Sequence, residues 1–183
     1  MNTLPIPADW LPQCTMERII LHWTEGWRKP NSVDTEHYHF LIAEQNAKPA
    51  VVRGEHTVDD NVVTGDGDYA AHTRGLNTRS IGVALCGMVG CRENPRHPGK
   101  DPFTQRQYNL MCLVVAQLCH RYGIPVTPKT VLAHGEVQSV LGVRQNGKWD
   151  PMFFPWAPNM DGKAVMNQMR ADIAAALAKL PSL

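Results

Sequence analysis

Three short apolar runs constrain this chain most: "RIILHWT" (Arg18 to Thr24), "IGVALCGMV" (Ile81 to Val89) and "KTVLAHGEV" (Lys129 to Val137). Each is too short for a packed helix, is rich in branched residues and ends in a polar or glycine turn, which is the pattern of a buried strand. Two of the runs carry a histidine near their end, His22 and His134, each followed by a polar turn. The two imidazoles are therefore expected to converge on one edge of a sheet, where sites commonly lie.

The remaining segments fill in the layers around those strands. "HYHFLIAEQNAKPAVVRGEH" reads as two strands around a turn at Gln45 to Pro49, with Tyr38, Phe40 and Ile42 on one face and His37, His39 and Leu41 on the other. "TQRQYNLMCLVVAQLCHRYG" is the clearest helix, because Tyr108, Met111, Cys112, Val115, Leu118, Cys119 and Tyr122 recur at spacings of three and four. Thr104 is placed to cap its start and Gly123 to end it. A last helix is expected from about Gly162 to Leu180, with Val165, Met169, Ile173, Leu177 and Leu180 on its apolar side. Strands dominate early and helices close the chain, so the expected fold is α/β, a central mixed sheet flanked by helices.

Length and charge exclude other classes. At 183 residues one domain is the default. Eighteen basic residues against 17 acidic ones give neither the footprint of a nucleic-acid binder nor a polybasic membrane anchor. The start, "MNTLPIPADWLPQC", lacks the basic and apolar regions of a signal peptide, so synthesis as a cytoplasmic, soluble, monomeric protein is expected. No segment stays apolar for the roughly eighteen residues of a membrane helix. Five cysteines at irregular spacing do not form a disulfide framework or a Cys-x-x-Cys metal pair, and Cys86 with Cys91 is the one bridge worth checking.

Chemistry enters through "GKWDP", where Lys148 and Asp150 stand one residue apart in a turn-rich apolar stretch. On its own such a pair reads as solvated surface. With His22 and His134, however, Asp150 completes two imidazoles and one carboxylate, the donor set of a catalytic zinc site with an open fourth position. A site of that kind polarises a carbonyl and activates water, as amide hydrolysis requires.

The blocks "IILHWTEG", "HYHFLI", "AAHTRGLNTRSIGVALCG", "PFTQRQYNLMCLVVAQLCHRYGI", "VLAHGEV" and "GKWDP" resemble, in order and residue type, the zinc-dependent N-acetylmuramoyl-L-alanine amidases of type 2, the family that includes phage amidase lysozymes and peptidoglycan recognition proteins. The resemblance spans Arg18 to Trp156 and implies a core of roughly residues 15–160 followed by the C-terminal helix. It implies Zn2+ held by His22, His134 and Asp150, with Tyr38 beside the nucleophile and Lys148 stabilising the oxyanion. Peptidoglycan and muropeptides are the implied partners, and the periplasmic wall the implied place of action. His72 matches a position near the substrate, where it touches peptide or sugar or fixes its own loop; Arg74 and Asn77 are expected as loop anchors or as carboxylate contacts for the stem peptide, and Trp23 or Trp27 offers an indole face for a sugar.

Three departures from the family pattern stand out. Recycling members carry a glutamate where this chain has Ala84, which leaves the general base open between Tyr38, zinc-activated water and Glu136. The link from His22 to Tyr38 is too short for the long helix many members place there, and "VQSVLGVRQNGKW" is longer than in the smallest phage enzymes. Ala84 points to a phage or prophage endolysin ahead of a recycling enzyme or an antibacterial effector. The contrasting class is a peptidoglycan-binding module without hydrolysis.

Overall fold

The structure is a computed structural model, and it describes residues 4–181. Its centre is a five-stranded sheet in the order β3-β2-β4-β1-β5, formed by β1 (Arg18–Trp23), β2 (Phe40–Gln45), β3 (Lys48–Arg53), β4 (Ser80–Leu85) and β5 (Val131–Ala133). β2, β4, β1 and β5 are parallel to their neighbours, and only the β2–β3 hairpin is antiparallel. The three apolar runs are thus the parallel core of the sheet, and β1 and β4 are buried almost along their whole length. The hairpin turns at Asn46 and Ala47, both left-handed (φ 50° and 59°), the geometry that matches strand twist in a two-residue loop. Pro49 lies in β3, at the sheet edge where a missing N–H does least harm.

Four helices pack on this sheet: α1 (Ser32–His37), α2 (Gln105–Tyr122), α3 (His134–Leu141) and α4 (Gly162–Leu177). Thr104 caps α2 by accepting from the Gln107 N–H, and Gly123 ends it at φ 65°, as its sequence pattern predicts. The α2 and α4 helices cover one face, where Ile19, Leu21, Phe40, Ile42, Ile81, Val83 and Val131 join Met111, Val115, Leu118, Val165 and Met169 in the main core. Fully burying side chains of this size contributes about 1.5–3 kcal/mol each, which makes this face the main source of stability. The opposite face is thinner. There Ile20 and Leu132 pack against Val137 of α3.

Alternation along β1 follows directly. Ile19, Leu21 and Trp23 go to the α2 face, so Ile20 and His22 go to the other. Two expectations change here. The strand starts at Phe40, and Tyr38 is the residue that ends α1, so Tyr38 does not share a strand face with Phe40 and Ile42. The segment after β5 is also helical from His134 onward, a helix the polar spacing of "HGEVQSVL" did not reveal. All five cysteines are free, Cys86 and Cys91 included, and no helix among the described residues is long and apolar enough to cross a membrane.

Candidate active site

His22 lies near the end of β1, directly beside Ala84 of β4 in the parallel register. His134 opens α3 immediately after β5. The sharp change from strand to helix is locked by Glu136, which accepts from the Ala133 N–H at 3.0 Å and takes both Arg170 guanidinium nitrogens at 2.8 and 3.1 Å. Asp150 arrives on the loop after α3, where its carbonyl accepts from the Gly135 N–H at 2.9 Å. Gly135 is needed for that approach, since a Cβ there would stand 2.7 Å from Met152 Sδ and 2.8 Å from Trp149 Cα. Trp149 packs edge-on against Trp23 with ring centroids 4.5 Å apart, and Phe153 supports its other side.

The three side chains meet below an open cleft. His22 is fully buried, and His134 and Asp150 nearly so. Asp150 Oδ2 lies 3.1 Å from His22 Nδ1 and 3.4 Å from His134 Nδ1. The hydrogen bonds behind the rings assign the tautomers. Gln145 donates its amide N–H to the Arg74 carbonyl, so its Oε1 faces His134 Nε2 at 2.8 Å and accepts from it. His72 Nε2 faces the Ser80 carbonyl and must carry a proton, which leaves His72 Nδ1 and Thr73 Oγ1 as acceptors for His22 Nε2 at 3.3 and 3.4 Å. Both ligand-type histidines therefore turn a bare Nδ1 toward a carboxylate.

Three electron-pair donors within 4.8 Å of one another, with no proton assigned between them, fit a cation. Donors about 2.0–2.1 Å from a tetrahedral zinc would stand roughly 3.4 Å apart, close to the 3.1 and 3.4 Å that separate Asp150 Oδ2 from the two imidazole nitrogens. Electrostatics agree. Burial pulls the His22 imidazole down to about 4, so it stays neutral at neutral pH.

Above this group the cleft has a volume of about 510 Å³ and is walled by Thr24, Glu25, His37, Tyr38, Arg74 and the segment Arg144 to Trp149. The Tyr38 ring sits 5.0 Å from that of His22. Burial first, then the charges of Asp150, Asp34, Cys86 and Glu25, push its phenol up, so it enters the cleft as a hydrogen-bond donor. Lys148 is exposed and borders the same space.

A family model described as N-acetylmuramoyl-L-alanine amidase matches residues 12–153. The chain belongs to the type 2 N-acetylmuramoyl-L-alanine amidase family. Among solved structures it resembles the hydrolase AmiA of Staphylococcus aureus, crystallised with its ligand, at TM-score 0.57 and 13% identity over 92% of this chain and 78% of that one. It also resembles the N-acetylmuramyl-L-alanine amidase AmiD of E. coli at TM-score 0.52 and 19% identity, over 86% of this chain and 57% of that one. AmpDH3 of Pseudomonas aeruginosa is similar at TM-score 0.52 and 16% identity, over 93% of this chain and 66% of that one. These likenesses establish a shared amidase fold. No curated protein matches the chain.

Within this amidase fold the other expected residues divide. Arg74 is exposed on the cleft wall, where a substrate can reach it. His72 borders the cleft but has both nitrogens engaged, so it serves as the backing of His22 rather than as a substrate contact. Asn77 does not reach the cleft. Its Oδ1 accepts from the Thr73 N–H at 2.7 Å and so fixes the loop that carries Thr73. Trp23 borders the cleft, but it is 4% exposed and its ring is packed on Trp149 and Phe103, which leaves no open face for a sugar. Glu136 is removed as a candidate base by its pairing with Arg170.

The residues missed were Gln145 and Thr73, which hold the histidines from behind. Each sits in a polar stretch with no periodic signal, and only the fold brings it to a ring nitrogen.

Proposed function

We propose that this protein is a zinc-dependent hydrolase that cleaves the amide between the lactyl group of N-acetylmuramic acid and the L-alanine of a peptidoglycan stem peptide. The observation that carries it is the convergence of two bare imidazole nitrogens and the Asp150 carboxylate under an open cleft bordered by Lys148 and Tyr38. Zinc at these ligands would supply a Lewis acid that polarises the scissile carbonyl and makes water nucleophilic near neutral pH. The chain's own residues do the rest. His22, His134 and Asp150 form the donor set, while His72, Thr73 and Gln145 fix which ring nitrogen faces it. Tyr38, held protonated, donates to the oxygen of the substrate or of the attacking water and orients it. The Lys148 ammonium stabilises the negative charge that grows on the carbonyl oxygen as the tetrahedral centre forms.

The E. coli relative binds anhydro-N-acetylmuramic acid-L-Ala-D-gamma-Glu-L-Lys. A γ-linked glutamate leaves a free α-carboxylate and a lysine adds a primary ammonium, so a ligand of this class carries both signs of charge. A cleft with Arg74 and Arg144 on its walls suits the carboxylates. The absence of a carboxylate at Ala84, on the His22 side of the sheet, favours an endolysin over a recycling enzyme.

Purified peptidoglycan incubated with zinc-loaded protein should release free stem peptides, and a chelator should stop the release. Asp150→Ala should lose stoichiometric zinc and hydrolysis together while remaining folded. Full hydrolysis by that variant, or by chelated protein, would refute the reading.

A further inference from the structure

Glu25 is the one acidic residue on the cleft wall that has no task in holding the metal site. Asp150, the other carboxylate there, is committed between His22 and His134. Among the described residues the Glu25 side chain makes no hydrogen bond and no ion pair, and it is exposed to the cleft. Its backbone is left-handed at φ 57°, a conformation that costs free energy for any residue with a Cβ and that a glycine would adopt without strain. Non-glycine residues kept in that region concentrate where a ligand is handled.

The loop holding Glu25 is rigid. The Thr24 N–H donates to the Leu85 carbonyl at 3.0 Å, and Thr24 Oγ1 accepts from the N–H groups of Gly26 and Gly87, both at 3.2 Å. Gly26 pairs with Met88 in a parallel bridge, and the Arg28 N–H is held by Asp101 at 2.8 Å. The carboxylate is therefore presented from a fixed backbone with anchors on both sides. Against it the cleft sets three cations, Arg74, Arg144 and Lys148, none of which forms an ion pair among the described residues. A substrate ammonium entering this cleft meets repulsion from those three groups and attraction from one.

Resting on the amidase reading, we propose that Glu25 is a specificity-determining residue that binds the primary ammonium of the diamino acid in the stem peptide. The carboxylates of the same peptide pair with Arg74 and Arg144, so the two signs together fix the direction in which the peptide lies. A peptide laid the other way would put its ammonium among the cations and its carboxylate against Glu25. Like-charge contacts of that kind disfavour the wrong orientation more strongly than the right contacts favour the correct one.

The test is a cycle over enzyme and substrate. N-acetylmuramoyl-L-Ala-D-γ-Glu-L-Lys and its Nε-acetyl-lysine counterpart are compared on zinc-loaded wild type and on Glu25→Gln. Wild type should prefer the free amine by about two- to fivefold, expressed in KM, as expected for a partly exposed ion pair. The preference should shrink as salt rises, and Glu25→Gln should abolish it through KM. Glu25→Gly, which relieves the backbone, should lose the preference as well.

An unchanged preference in Glu25→Gln would overturn the proposal. An equal fall in kcat on both substrates would also overturn it, by placing Glu25 in proton transfer. If wild type cleaves neither substrate, the amidase reading fails separately, and the same preference read as binding of the two compounds still decides the role of Glu25.

Discussion

Gln145 Oε1 lies 2.8 Å from His134 Nε2, while the other end of the same amide donates to the Arg74 carbonyl at 2.9 Å. One side chain thus sets the proton position on a proposed metal ligand and ties that ligand to the cleft wall. Removing the acceptor should cost about 10- to 100-fold in zinc affinity, the usual effect of losing such a partner. Gln145→Leu is expected to show that loss in a chelator-competition titration. Gln145→Glu keeps an acceptor for His134 and should retain the affinity, but it cannot donate to Arg74. Equal losses in both variants would mean that Gln145 merely fills space.

Lys148 should separate chemistry from binding. An oxyanion partner acts in the transition state, so Lys148→Ala should lower kcat by about 10²- to 10³-fold and leave KM nearly unchanged. Zinc content should be normal. A variant that lost KM instead would place the ammonium on the ground-state peptide.

Gly135 links α3 to the loop that delivers Asp150. Because a Cβ would approach Trp149 Cα to 2.8 Å and Met152 Sδ to 2.7 Å, Gly135→Ala must push the ligand loop outward. Overpacking of this kind costs about 1–3 kcal/mol. A lower melting temperature together with weaker zinc retention is expected, whereas a lower melting temperature alone would show that the loop absorbs the methyl group without moving Asp150.

The fold was legible in the sequence where one residue pattern decided the outcome. Apolar runs of strand length gave β1, β4 and β5, and the three-and-four spacing with Thr104 and Gly123 gave α2 to within a residue at its start. His22, His134 and Asp150 do meet, but spacing alone suggested this only weakly, and the resemblance of "LHWT", "AHGEV" and "KWDP" added most of the weight. What stayed hidden depends on long-range packing. Whether Tyr38 begins a strand or ends a helix turns on the Asn31 cap and Asp34, which build α1 from a sequence that reads as a loop. The face assigned to Trp23 needed the positions of α2 and α4. Gln145 and Thr73 carry no pattern, since a hydrogen bond to a ring nitrogen is made by the fold and not by neighbours in sequence.

Stability should fall in mild acid for a traceable reason. His39 is fully buried, accepts from the Gly82 N–H at Nδ1 (3.0 Å) and donates to Asn61 Oδ1 at Nε2 (3.0 Å). Burial lowers its pKa to about 4. Protonation would also turn Nδ1 into a donor facing a donor. In the unfolded chain the ring titrates near 6.5, so between those values the unfolded state binds the extra proton. Stability from this group is complete above about pH 6.5, declines as pH falls, and levels off below about 4, a total of about 3 kcal/mol. Urea midpoints measured across that window should slope less steeply in His39→Gln than in wild type. Parallel slopes would assign the acid sensitivity to other groups.

The perpendicular contact of Trp23 and Trp149, 4.5 Å between centroids, has an optical consequence. Two indoles fixed at 81° and so close couple their electronic transitions, which produces circular dichroism in the near ultraviolet. One of the pair is anchored in β1 and the other is the residue before Asp150, so the signal reports the order of the ligand loop itself. Ordering of that loop by zinc at the proposed site would register in this unlabelled protein before any substrate is added.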